Sequence, residues 1–171
     1  MKFPLSPLEI GIALGSNQGD RINYLRTAFS WLKTISIAPV KCSHVYETDP
    51  IDCPKGTPFF LNAVCEIKCD MDPLELLHRM RDFERRHGRS EGYLKNAPRP
   101  LDLDLLYVGD LVKQMEELIL PHPRMLERRF VLQPLCEIRP DLILPNRNQS
   151  ISQLLASLKD DHEVGLYSES L

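Results

Sequence analysis

The hydrophobic residues of this chain change period several times, and each change marks an element. Ile10, Ile12 and Leu14 alternate with the small residues Gly11 and Ala13, which predicts a strand over residues 9–14. Gly15-Ser16-Asn17-Gln18-Gly19-Asp20 then breaks the pattern, and Asp20 is a suitable cap for a helix over residues 21–35. In that helix Ile22, Leu25, Phe29 and Leu32 recur at helical spacing. A second strand over residues 40–48 stops at Asp49-Pro50, and residues 51–58 read as a loop. Residues 59–70 show the clearest alternation in the chain. Phe59, Leu61, Ala63, Cys65, Ile67 and Cys69 share one face, and Phe60, Asn62, Val64, Glu66 and Lys68 share the other. Asp72-Pro73 opens a second helix with a buried stripe of Leu76, Leu77, Met80, Phe83 and His87, and Gly88 ends it.

The pattern is lost over residues 88–98, an irregular stretch carrying Arg89 and Lys95 that has the character of a functional loop. A strand follows over residues 101–107, then a turn at Gly109-Asp110 and a short hairpin ending near Leu120. Pro121-His122-Pro123-Arg124 is stiffened by its prolines, and residues 128–132 read as helix leading into Pro134. Residues 150–158 suggest a last short helix, and residues 159–171 a polar, frayed tail. The order β-α-β-β-α-β predicts an α+β, ferredoxin-like core within a single domain over residues 1–158. Its antiparallel sheet is expected to carry helices on one face and leave the other open for substrate, with extra helices at the C-terminal end.

The strand over residues 101–107 carries the candidate chemistry. Leu101, Leu103 and Leu105 point one way and Asp102 and Asp104 the other, with the acidic positions roughly 6.6 Å apart. Two carboxylates that close repel, and a cation beside them relieves the repulsion. Oxygen-only ligation of this kind suits Mg²⁺, which takes one or two carboxylates plus substrate phosphates. Read alone, the same pattern also fits an exposed edge strand whose acids face water. The predicted fold brings Phe60, Asn62, Asp102 and Asp104 to one side of the sheet. An amide beside an aromatic ring suits a flat heterocycle with hydrogen-bonding edges.

Composition narrows the function classes. The 171 residues carry a net charge of −3, which argues against a general nucleic-acid binder. No apolar run approaches the ~20 residues that span a bilayer, and the first residues show no signal peptide. The five cysteines are scattered without C-x-x-C spacing, so neither a disulfide framework nor structural zinc is expected, and the cytosol is the natural compartment.

Several segments together resemble the 6-hydroxymethyl-7,8-dihydropterin pyrophosphokinases of folate biosynthesis: ALGSN at 13–17, YETDP at 46–50, FLNAV at 60–64, FERRHGR at 83–89, APRPLDLDLLY at 97–107 and LPHPRMLERRFVLQPLCEIRPD at 120–141. The resemblance implies transfer of pyrophosphate from ATP to the pterin hydroxymethyl group, with release of AMP. By the same resemblance Asp102 and Asp104 hold two Mg²⁺ ions, and Arg99 and Arg89 act on the transferred group. Thr48, Ile51, Phe60, Asn62 and Phe130 meet the pterin; Leu77, Glu84, Arg89, Leu105, His122 and Arg128 meet the nucleotide. Phe60 and Pro123 stand where relatives often carry tyrosine. The loop departs further, with Asn96 where tryptophan is common and Glu91 where a second arginine is common, so weaker closure is expected. ATP and the pterin are the implied partners of a monomer, with no nucleic acid or membrane. A non-catalytic ferredoxin-like sensor of a metal or heterocycle is the alternative, and a metal-dependent nuclease fits the charge poorly.

Overall fold

The computed structural model describes residues 6–50, 53–88, 98–160 and 162–171. In chain order it contains β1 (Leu8–Ser16), α1 (Arg21–Ile35), β2 (Lys41–Cys42), β3 (Val45–Thr48), β4 (Phe60–Cys69), α2 (Pro73–Arg86) and β5 (Asp102–Val108). The hairpin β6 (Lys113–Gln114) and β7 (Ile119–Leu120), a 3-10 turn at Met125–Glu127, α3 (Arg129–Ile138), α4 (Ile151–Ser157) and β8 (Val164–Ser168) complete it. The main sheet runs β5-β1-β4-β3-β8, with β2 also on β4, and its neighbours pair antiparallel. This is the ferredoxin-like order, extended by one strand at the β3 edge.

The helix starts follow from the sequence. Asp20 Oδ1 accepts from Asn23 N at the start of α1, and Asp72 Oδ1 accepts from Leu74 N and Glu75 N at the start of α2. Ser150 and Gln153 form a reciprocal capping box on α4. α1 and α2 cover one sheet face and bury Ile10, Ile12, Leu14, Leu61, Ile67, Leu76, Met80, Leu103 and Leu105 in a first core.

Several features depart from the pattern read along the chain. The expected second strand is split at Ser43, where β2 and β3 differ by one residue in register on β4. There Ser43 Oγ accepts from Val64 N and Ser43 N donates to Val64 O. β5 contains a second bulge, with a register shift opposite Gly11 and Ile12. It turns both Leu106 and Tyr107 away from the first core while Leu105 and Val108 stay in it. The sheet face expected to be open is only partly so: α3 and α4 cover Val64, Leu106 and Tyr107 with Val131, Leu132, Leu135 and Ile151, forming a second core. α3 also runs on through Pro134 rather than stopping before it. Finally, the segment expected to fray carries β8, whose Val164, Leu166 and Tyr167 have strand propensity and cover what would be an open β3 edge. Phe59, assigned by alternation to the core face, precedes β4 and is half exposed.

Gly11 is required by the second bulge. A Cβ there would lie 2.1 Å from Tyr107 Cε1, inside the ring that crosses it. Gly11→Ala is expected to cost about 1–3 kcal/mol as overpacking, read as a lower urea midpoint with an unchanged slope.

Candidate active site

The open part of the sheet face holds a cavity of about 460 Å³. Asp102 and Asp104 lie on one wall, because their positions on β5 both oppose β1, at Gly15 and Ala13, on the face away from the first core. Arg99, Arg124 and Arg128 line the same cavity, as do Thr48, Asp49, Phe60 and Phe130.

Local structure fixes these groups. Asn17, directly after β1, holds the chain that enters β5: Arg99 N donates to Asn17 Oδ1 (2.8 Å), and Asn17 N donates to Arg99 O (3.2 Å). Arg99 Nη2 is thereby brought to 2.9 Å from Asp102 Oδ2, and its guanidinium stands 5.8 Å from the Phe60 ring centre. Arg128 Nη1 lies 3.8 Å from Asp104 Oδ2, and its guanidinium stands 5.5 Å from the Phe130 ring centre. Each acid is thus faced by a cation that also touches an aromatic wall. Burial, together with Arg124 and Arg99, holds the Arg128 guanidinium below its ordinary pKa despite the opposing aspartates, so an incoming polyanion is favoured there.

His122 N donates to Leu106 O (2.7 Å), and His122 Nδ1 accepts from Arg124 N (3.2 Å). A ring nitrogen that accepts cannot also carry the proton, so the neutral ring keeps its hydrogen on Nε2. Burial and then the charges of Arg128 and Arg124 push the His122 pKa below its ordinary value, which favours that neutral donor form near pH 7.

The remaining residues singled out in the sequence stand around this cavity or outside the described residues. Asn62 is buried and its Nδ2 donates to Thr48 Oγ1 at 2.7 Å, so the amide joins the cavity through the threonine that lines it. A Cβ at Gly15 would touch Asn62 Oδ1, Asp102 Cβ and Phe60 Cδ1 at 3.5–4.0 Å, so the missing side chain leaves the floor among these three low. Glu84 is buried, and its Oε1 accepts from Leu103 N (2.7 Å) on the outer edge of β5. That contact satisfies a backbone donor an edge strand would otherwise leave bare. Leu105 is packed in the first core and Leu77 lies half-buried against it; Leu77, Glu84, Leu105, Asn62 and His122 are not part of the cavity lining. Arg89 and Ile51, and with them Glu91, Lys95 and Asn96, lie outside the described residues.

The cavity also gathers Asp49, Cys53, Glu127, Lys159, Asp160 and His162, none of which was singled out in the sequence. Asp49 belongs to the YETDP segment and Arg124 to the proline-stiffened one, which were the available signals. The residues from 159 onward offered none.

Comparison with known sequences decides what this arrangement belongs to. Residues 11–140 match the family described as 7,8-dihydro-6-hydroxymethylpterin-pyrophosphokinase (HPPK). The chain belongs to the HPPK family. It is 44% identical over 128 residues to the 2-amino-4-hydroxy-6-hydroxymethyldihydropteridine pyrophosphokinase of Bacillus subtilis, covering 74% of this chain and 75% of that protein. The enzyme of the same name from Haemophilus influenzae is 36% identical over 156 residues, covering 91% of this chain and 96% of that protein. The chain spans only about a fifth of the fungal folic acid synthesis proteins that it also matches. The HPPK fold is shared with Plasmodium falciparum HPPK-DHPS, with a TM-score of 0.71 at 14% identity over 91% of this chain and 43% of that one.

Proposed function

We propose that this chain transfers the pyrophosphoryl group of ATP to the hydroxymethyl oxygen of 6-hydroxymethyl-7,8-dihydropterin, releasing AMP. The observation that carries this reading is the meeting, in one cavity of an HPPK-family chain, of the strand pair Asp102 and Asp104 with Arg99, Arg124 and Arg128 and the aromatic walls Phe60 and Phe130.

The donor set fits Mg²⁺. Among the described residues no cluster of three or more His, Cys, Asp or Glu is arranged to hold a metal, which leaves Asp102 and Asp104 to share ions with phosphate oxygens and water. When bound, two such ions would polarise the transferred phosphorus and neutralise charge on the leaving AMP. Arg99 and Arg128, which neutralise the aspartates in the ligand-free protein, would then turn to the phosphate oxygens. His122 would donate from Nε2 to the same chain of phosphates. Asn62 and Thr48 supply hydrogen-bonding edges for the pterin, and Phe60 and Phe130 supply surfaces for its ring. Alignment and charge neutralisation carry the rate, with no strong protein base required. By family resemblance Arg89 joins the phosphate cations, Ile51 the pterin contacts, and Leu77, Glu84 and Leu105 the nucleotide contacts. No described helix is long and apolar enough to cross a membrane, and the five cysteines are thiols, which suits a reducing compartment such as the cytosol; the working form in this reading is a monomer.

Incubation with ATP, Mg²⁺ and hydroxymethyldihydropterin is expected to yield AMP and pterin diphosphate in equal amounts, with no AMP when the pterin is omitted. A sensor module would bind the heterocycle and release none.

A further inference from the structure

We propose that Asp160 is a positioning residue for the pterin pocket, acting from the C-terminal segment by capping α3. This rests on the pterin assignment above. α3 starts without a cap of its own, since Arg128, the residue before it, makes no side-chain capping bond. The missing acceptor comes from 31 residues away: Asp160 Oδ2 accepts from Arg129 N at 3.0 Å. The backbone reinforces this, with Asp160 O accepting from Arg129 Nε (2.9 Å) and Leu158 O from Arg129 Nη2 (3.4 Å). A carboxylate at this end also meets the positive end of the helix dipole.

Arg129 is flanked by two residues that line the cavity, Arg128 just before α3 and Phe130 in its first turn. Phe130 is one aromatic wall, and Arg128 reaches both that ring and Asp104. Where Arg129 N is held therefore sets the place of a ring-stacking surface and of a phosphate cation together. Asp160 is nearly buried, at 9% side-chain exposure, and its Oδ1 also accepts from His162 N (3.0 Å) and pairs with His162 Nδ1 (2.5 Å). The carboxylate thus ties His162, which also lines the cavity, to the start of α3 at a single point.

Asp160→Ala and Asp160→Asn in the full chain test this. Asp160→Ala is expected to lower kcat/KM for the pterin by the roughly tenfold that corresponds to one lost cap. Asp160→Asn, whose amide oxygen still accepts from Arg129 N, is expected to recover most of it. In the ligand-free protein, amide hydrogen exchange over residues 129–132 should be faster in Asp160→Ala than in wild type. Unchanged kcat/KM in the alanine variant alongside a lower melting temperature assigns Asp160 a structural role only and overturns the proposal, as does unchanged exchange. Should the alanine variant not fold, the asparagine variant decides by the same exchange and kinetic readouts. Wild-type protein that forms no AMP defeats the pterin reading instead, and the exchange measurement still judges the capping role by itself.

Discussion

Replacing either Asp102 or Asp104 with asparagine is expected to reduce AMP formation at least about a thousandfold while the protein stays folded. A factor of that size is roughly 4 kcal/mol of lost transition-state stabilisation, which is what ions bridging a transferred phosphoryl group supply. Asparagine keeps the shape and an acceptor oxygen but loses the charge that holds a divalent cation. The fold survives because the carboxylates are not what holds β5 in the sheet: its backbone pairs with β1, and its Leu103 and Leu105 side chains are in the first core. Asparagine at 102 still accepts from Arg99, and removing one of two like charges offsets part of the attraction given up. The measurements are steady-state AMP release and a urea unfolding curve on the same preparations. A near-wild-type rate from either variant is incompatible with the assignment; equal loss from both is the signature of a pair acting as a unit.

That pair was readable in the sequence because strand geometry is local. Positions 102 and 104 on a strand must share a face, whatever the rest of the chain does. The same rule assigned Leu103 and Leu105 to the core, and N-cap chemistry at Asp20 and Asp72 placed two helix starts. What escaped depends on partners distant in sequence. Leu106 and Tyr107 point the same way only because β5 bulges against β1. Glu66, on an alternation that suggested a solvated face, is buried because Tyr107 of β5 and Arg139 at the end of α3 close over it. The polar composition after residue 158 concealed both β8 and Asp160, since a strand added to an edge needs little hydrophobicity of its own. The Gly-Ser-Asn stretch, read only as the break between the first strand and its helix, turns out to hold Arg99 through Asn17.

Glu66→Ala is expected to be the most destabilising single change outside the site, at about 3 kcal/mol, which for a chain of this size is a melting temperature lower by roughly 10 °C. Glu66 is 4% exposed and accepts from Tyr107 OH (2.6 Å), Arg139 Nη1 (2.5 Å) and Lys41 Nζ (3.1 Å). Truncation strands the buried Tyr107 hydroxyl and removes the closest carboxylate of Arg139, which among the described residues keeps Glu9 at 2.8 Å. Burial by itself raises the Glu66 pKa, but the hydrogen bonds from Arg139, Tyr107 and Lys41 outweigh it and leave it below the ordinary glutamate value. A carboxylate depressed in the folded state contributes its full stability above the unfolded pKa of about 4.3 and loses it as pH falls through the lower folded value. The gap between wild type and Glu66→Ala is therefore widest at neutral pH and narrows as pH falls below the unfolded value and through the lower folded one. Burial, followed by the bond to Glu66, pushes the Tyr107 pKa up, so the phenol remains a donor across this range. A double-mutant cycle isolates the contact: Tyr107→Phe should cost less in the Glu66→Ala background than in wild type, because the hydroxyl it removes has already lost its acceptor. Strictly additive losses, or a gap that does not change with pH, would show that α3 is held over the sheet by its apolar contacts alone.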